Sequence, residues 1–153
     1  MKNLDTIDVQ LSDHGHGEYI SLVLNGEAVE GTFDYHLFAM LGSVKSITIE
    51  LMTCSCGCAG CAGIFDGVAI KRRRYTVEWR DVDCGLPKPF YSFSVEQYDA
   101  VTKKARDYMY GIVERRKDAD PDVYQHDGIC RSGTIEELEA SIRYAEDWLR
   151  GRK

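Results

Sequence analysis

The chain has 153 residues, of which 44% are apolar and 29% charged, and a formal net charge of −6. That length fits one domain able to bury roughly 68–70% of its unfolded surface, and the composition excludes a disordered tail and a fibrous repeat. An acidic balance, with a pI near 5.2, works against broad affinity for phosphate backbones but leaves a protein partner or a local cation cluster open.

The opening residues, MKNLDTIDVQ, carry no apolar signal core, and every apolar run is far shorter than the ~20 residues of a membrane helix. A cytoplasmic chain without a membrane span is therefore expected, in a compartment that keeps thiols reduced. Six cysteines in such a setting point to metal binding or redox chemistry before disulfides.

Ile7, Val9 and Leu11 alternate with polar residues, as do Ile20, Leu22 and Leu24 within 18–24. Period two marks half-buried strands. Asn25-Gly26 follows, and because both residues tolerate positive φ the pair predicts a hairpin turn. The first thirty residues thus read as an antiparallel meander. Thr32 to Leu41, ending at Gly42, reads as a short helix, and Ser46 to Met52 as a strand with Ile47, Ile49 and Leu51 inward.

Two more strands are expected at Ile64 to Ile70 and Tyr75 to Val82, with Tyr75, Val77 and Trp79 on one face and Lys71, Arg72, Arg73 and Arg74 at the bend. Asp83 to Phe90, with Gly85, Pro87 and Pro89, reads as irregular. Ser94 with Gln97 fits a capping box for a long helix through Val95, Tyr98, Ala105, Tyr108, Met109 and Ile112, closing at Arg115, Arg116 and Lys117. A polar loop over 118–133 precedes a last helix capped by Thr134 and Glu137. Its buried stripe is Ile135, Leu138, Ile142, Ala145 and Leu149. The expected fold is a single α+β domain over 1–153. An antiparallel sheet with a cysteine-rich knuckle between strands packs on two long C-terminal helices and one short helix.

The knuckle holds Cys54, Cys56, Cys58 and Cys61 within eight residues, with Gly57 and Gly60 between them. Two residues without a Cβ let the backbone turn tightly enough to gather the sulfurs. Thiolates are soft ligands, so a tetrahedral sulfur set selects zinc, and a structural zinc is the first reading. A reversible disulfide is the second, and free thiols on a glycine-rich turn the third. An iron–sulfur cluster fits less well because its ligands are usually more widely spaced. Cys84, Cys130, His126, His14 and His16 are candidates to replace one loop ligand, although these histidines more ordinarily sit in exposed turns and these cysteines in cores.

The stretch LMTCSCGCAGCAGI followed by VAIKRRRYTVEW resembles a motif of uncharacterised small bacterial and phage proteins: a strand, then C-x-C-G-x-x-G-C-x-G-[IV], then a strand with a tryptophan. Cys54, Cys56, Gly57, Gly60, Cys61, Gly63, Ile64 and Trp79 carry the match, over about a third of the chain. The resemblance implies Cys54, Cys56 and Cys61 as the structural set, with Cys58 at a variable position. It implies no activity.

No Walker loop, dinucleotide fingerprint or nucleophile–base motif is present. Asp81 and Asp83 flank Val82 as a carboxylate pair without a catalytic motif, and Asp118, Asp120 and Asp122 alternate in a loop that lacks the glycine and distal glutamate of a calcium site. Lys71 to Arg74 with Tyr75 and Trp79 would suit nucleic acid, cations on phosphate and rings on bases, although a solvated hairpin tip is the more ordinary meaning. Glu136, Glu137, Glu139, Glu146 and Asp147 make the last helix acidic, ordinarily a solvated face. The expectation is a non-enzymatic protein-binding domain with a structural zinc. By analogy of size, inhibitors, immunity proteins and phage antagonists of host systems are of this kind. Lys71, Arg72, Arg73 and Arg74 are its partner-binding candidates. A thiol redox or zinc-release switch, and nucleic-acid binding at the basic bend, are the alternatives.

Overall fold

The structure, a computed structural model, describes residues 3–13, 18–29, 32–33, 41–43, 46–49, 52–53, 67–82, 85–116 and 134–151. The N-terminal alternation forms β1 (Ile7–Asp13) and β2 (Glu18–Leu24), paired antiparallel with Ile7 opposite Leu24, Val9 opposite Leu22 and Leu11 opposite Ile20. This register puts Ile7, Val9, Ile20, Leu22 and Leu24 in the core. Asn25 (φ 52°) and Gly26 (φ 82°) turn the chain into β3 (Glu27–Ala28), the positive-φ pair that a two-residue hairpin requires.

A second, four-stranded antiparallel sheet has the order β5-β7-β8-β9. Its strands are β5 (Ser46–Ile49), β7 (Val68–Arg72), β8 (Thr76–Asp81) and β9 (Phe90–Ser94). Between β3 and β5, β4 (Thr32–Phe33) pairs with β6 (Met52–Thr53) in a small ladder of its own. Ile49, Val68, Ile70, Val77, Trp79, Tyr91 and Phe93 are buried on the inner face. There the Trp79 ring meets Phe93 edge-on at 5.4 Å and Tyr98 at 6.1 Å, the T-shaped geometry that aromatic quadrupoles favour.

β9 runs directly into α1 (Val95–Arg116), and Ser94 supplies the cap: its Oγ accepts the Gln97 amide at 3.1 Å. Tyr98, Val101, Thr102, Ala105, Met109, Ile112 and Val113 recur at helical spacing and are buried. α1 packs against β1, β2, β8 and β9, so one helix closes both larger sheets into a single core. α2 (Ile135–Gly151) packs on α1 through Leu138, Ile142, Ala145 and Leu149, and the Thr134 hydroxyl accepts the Glu137 amide at 3.1 Å.

Asp5 joins the sheets. Its amide donates to the Ser92 carbonyl at 2.8 Å, and its carboxylate accepts from the Ser92 amide, Asn25 Nδ2 and Lys88 Nζ. Burial, the largest influence, pushes the carboxyl pKa upward; the three donors together outweigh it and hold the group below its ordinary value.

The structure is α+β with antiparallel sheets and, among the described residues, two long helices, and three of its strand assignments depart from the sequence expectation. Thr32 and Phe33 are a strand rather than a helix start, because their backbone pairs in antiparallel register with Thr53 and Met52. The expected strand over 46–52 is divided between two sheets, since Ser46–Ile49 pairs with β7 while Met52–Thr53 pairs with β4. β9 falls where the sequence predicts no element; its aromatics alternate, but only between two prolines and a helix cap. The rest of the expected short helix lies outside the described residues except for a 3₁₀ turn at Leu41–Ser43. In that turn a Cβ on Gly42 would stand 2.9 Å from Thr102 Oγ1, so the turn approaches α1 as closely as only glycine permits.

Candidate binding face

Side chains alternate along each strand of the four-stranded sheet, so the residues between the buried ones form an outer face. Cross-strand register sorts them into two rows. One runs Ser46, Lys71, Glu78, Ser92; the other runs Thr48, Ala69, Arg80, Phe90. Ser46, Thr48, Lys71, Arg80 and Phe90 are exposed on this face. The small residues Ser46, Thr48 and Ala69 make a low floor, and with Lys71, Arg73, Glu78, Arg80 and Phe90 they shape a half-open concavity of about 790 Å³.

Three cations line this concavity against one carboxylate. Glu78 already has a partner, accepting from Arg73 Nε at 2.9 Å. Lys71 and Arg80 make no ion pair or side-chain hydrogen bond among the described residues. Phe90 is 46% exposed beside Arg80, an apolar ring at one end of a basic groove.

The four cations of the basic run do not form one patch. Lys71 points to the outer face, Arg73 reaches Glu78, and Arg74 lies 5.2 Å above the exposed Tyr75 ring. Arg72 has the opposite strand parity and turns toward α1, where its Nη2 donates to Asp99 Oδ2 at 2.6 Å. Hydrogen bonding to Asp99, more than the opposing burial, raises the guanidinium pKa. Arg72 Nη1 and Asp99 Oδ1 are buried without a hydrogen-bond partner among the described residues. Arg72 therefore fastens β7 to the helix. Tyr75, expected beside Val77 and Trp79, sits in the turn and is 72% exposed.

Arg80, Glu78 and Phe90 were missed as site residues. The signal was present: TVEWRD alternates, so once Val77 and Trp79 are core, Glu78 and Arg80 must face out. Reading clustered cations along the chain, rather than cations gathered by register, overlooks such a set.

Asp81 and Glu146 do not line this concavity. Asp81 accepts the Leu86 amide at 2.8 Å and holds the loop before β9. Glu146 accepts from Arg106 and Arg150, which neutralises part of the acidic helix. Cys54, Cys56, Cys58 and Cys61, together with Cys84, Cys130, His14, His16, His126, Asp83 and the 118–122 aspartates, lie outside the described residues. Among the described residues no group of three or more His, Cys, Asp or Glu side chains is placed to hold a metal. No described helix is long and apolar enough to cross a membrane. Comparison of the chain with protein-family models, curated proteins and solved structures finds no match.

Proposed function

We propose that this is a non-enzymatic protein-binding domain whose docking surface is the outer face of the four-stranded sheet, and that it acts by occupying a surface of another protein, as inhibitors and antagonists do. One observation carries the reading. The sheet's inner face is buried, with α1 packed against β8 and β9, while its outer face keeps an exposed ring and two cations that engage no described side chain, over a floor of small residues. Exposed aromatic and arginine side chains are the types enriched where proteins bind one another. The thiols of Cys54, Cys56, Cys58 and Cys61 belong to the same reading as a zinc clamp, supported by their spacing, and metal analysis of the purified chain tests that separately.

A photocrosslinking residue in place of Phe90 tests the docking surface, with one in place of Tyr144 on α2 as the control. In a lysate of the source cell, position 90 should give a protein adduct that excess unlabelled chain competes away and that Lys71→Glu with Arg80→Glu abolishes. No adduct at 90, or equal adducts at 90 and 144, refutes the assignment. A nuclease-sensitive adduct transfers the face to nucleic acid.

A further inference from the structure

The proposed docking surface has a spacing that selects its ligand. Lys71 stands directly opposite Glu78, and Arg80 lies two residues beyond Glu78 on the same face. Diagonal neighbours of this kind are roughly 7–8 Å apart at their Cα atoms. An extended chain repeats on one face every second residue, about 6.6 Å, so acidic residues at alternating positions present two carboxylates at nearly the separation of the two cations. Resting on the binding reading above, we infer that the face recognises an extended acidic segment of the form acidic-x-acidic, with an apolar side chain beyond it.

Each part of that ligand has a counterpart on the face. The first carboxylate meets Lys71, which no described acid engages because Glu78 is taken by Arg73. The second meets Arg80, whose opposite neighbours are Ala69 and Phe90 and whose guanidinium therefore has room on one side and a ring on the other. The apolar residue lies on Phe90. Ser46, Thr48 and Ala69 leave the depth an added backbone needs. Charge complementarity favours an acidic peptide over a neutral one. A single exposed ring and a resident carboxylate favour it over a nucleic-acid strand, for which successive stacking rings and an unbroken basic groove are the norm.

The test uses labelled peptides and fluorescence anisotropy on the full chain. One peptide carries aspartates at alternating positions followed by leucine. A second has the same composition with the aspartates adjacent, so that their side chains leave on opposite faces. The alternating peptide should bind with a Kd below roughly 1 mM at low salt, and the adjacent one about twofold to fivefold more weakly. Lys71→Ala and Arg80→Ala, both at exposed positions, should each cost the alternating peptide about twofold to fivefold. Equal binding of both peptides, indifference to the two alanine variants, no binding below that limit, or tighter binding of an oligothymidylate of matched charge overturns the inference. The crosslink at position 90 keeps the outcomes distinct. Its persistence alongside any of these results leaves a protein-binding face with another ligand, and its loss removes the face itself.

Discussion

The two faces of the β5-β7-β8-β9 sheet are built from the same backbone and answer to different constraints. Trp79 is fully buried between Phe93 and Tyr98, while Arg80, the next residue, is exposed and pairs with nothing described. Inward, shape and volume decide which residue is tolerated, because every methylene has neighbours. Outward, Lys71, Arg80 and Phe90 are exposed, so packing constrains them far less than it constrains Trp79. An aromatic ring and two unengaged cations there cost apolar exposure and like-charge proximity without a return in stability, and that contrast is the reason to assign the outer face to binding.

The comparison breaks most visibly at adjacent positions. Trp79→Ala should lower stability by ~3–5 kcal/mol through lost burial and an unfilled cavity, with the Tyr98 hydroxyl losing the indole N–H that now donates to it at 3.3 Å. Arg80→Ala should stay within about 0.5 kcal/mol. Urea denaturation of both variants checks this, and a comparable loss in Arg80→Ala would mean that the outer face is structural after all. Gly42→Ala comes next. Its new Cβ meets Thr102 Oγ1 at 2.9 Å, and Thr102 is itself buried and hydrogen-bonded to the Asp99 carbonyl, so it cannot easily yield. A loss of ~1–3 kcal/mol is expected, partly recovered on adding Thr102→Ala. An additive double variant would rule out the clash as the cause.

Asp5 holds the edge where the two sheets meet, and its contribution depends on pH. Its carboxyl pKa is held below the ordinary value, so the charged form is favoured by folding. That stabilisation is complete above the unfolded pKa of ~3.9 and disappears as pH falls through the folded value. Asp5→Asn should therefore cost ~1–2 kcal/mol at neutral pH. Most of this comes from the Ser92 amide and Asn25, because Lys88 is half exposed and its pairing is screened. Urea midpoints of the variant and parent should converge as pH drops below 4, and a gap that stays constant would show that the bonds do not depend on the charge.

Much of the inner face was legible in the sequence because burial imposes a period. Val77 and Trp79, the two helix caps at Ser94 and Thr134, the α2 stripe and the Asn25-Gly26 turn all follow from local rules. The outer face was not legible, because its members are adjacent only through register. Lys71 and Arg80 are nine positions apart in sequence but diagonal neighbours in the sheet. Arg72 was misleading for the same reason: its neighbours in the run are cations, yet strand parity sends it to Asp99 on the helix. Division of the 46–52 segment between two sheets was also hidden, since alternation names a strand but not its partner.

Arg73 offers the finest separation of the two faces. It is half exposed and its pair with Glu78 is a surface ion pair, so Arg73→Ala should change stability by less than ~0.5 kcal/mol. Lys71 sits directly across from Glu78 and would take over as its partner. One substitution thus removes a cation from the groove and engages a second, leaving only Arg80 unengaged. Binding of an alternating acidic peptide should fall about as far as after Lys71→Ala, which also leaves Arg80 as the one cation not engaged by Glu78, while Glu78→Gln should strengthen it by removing the resident carboxylate and releasing Arg73. Urea melts and peptide anisotropy on the three variants decide the matter together. Stability that tracks affinity across the series would mean that the ion pairs serve the fold, whereas affinity moving in both directions over an unchanged urea midpoint is the behaviour of a surface whose charges serve a partner.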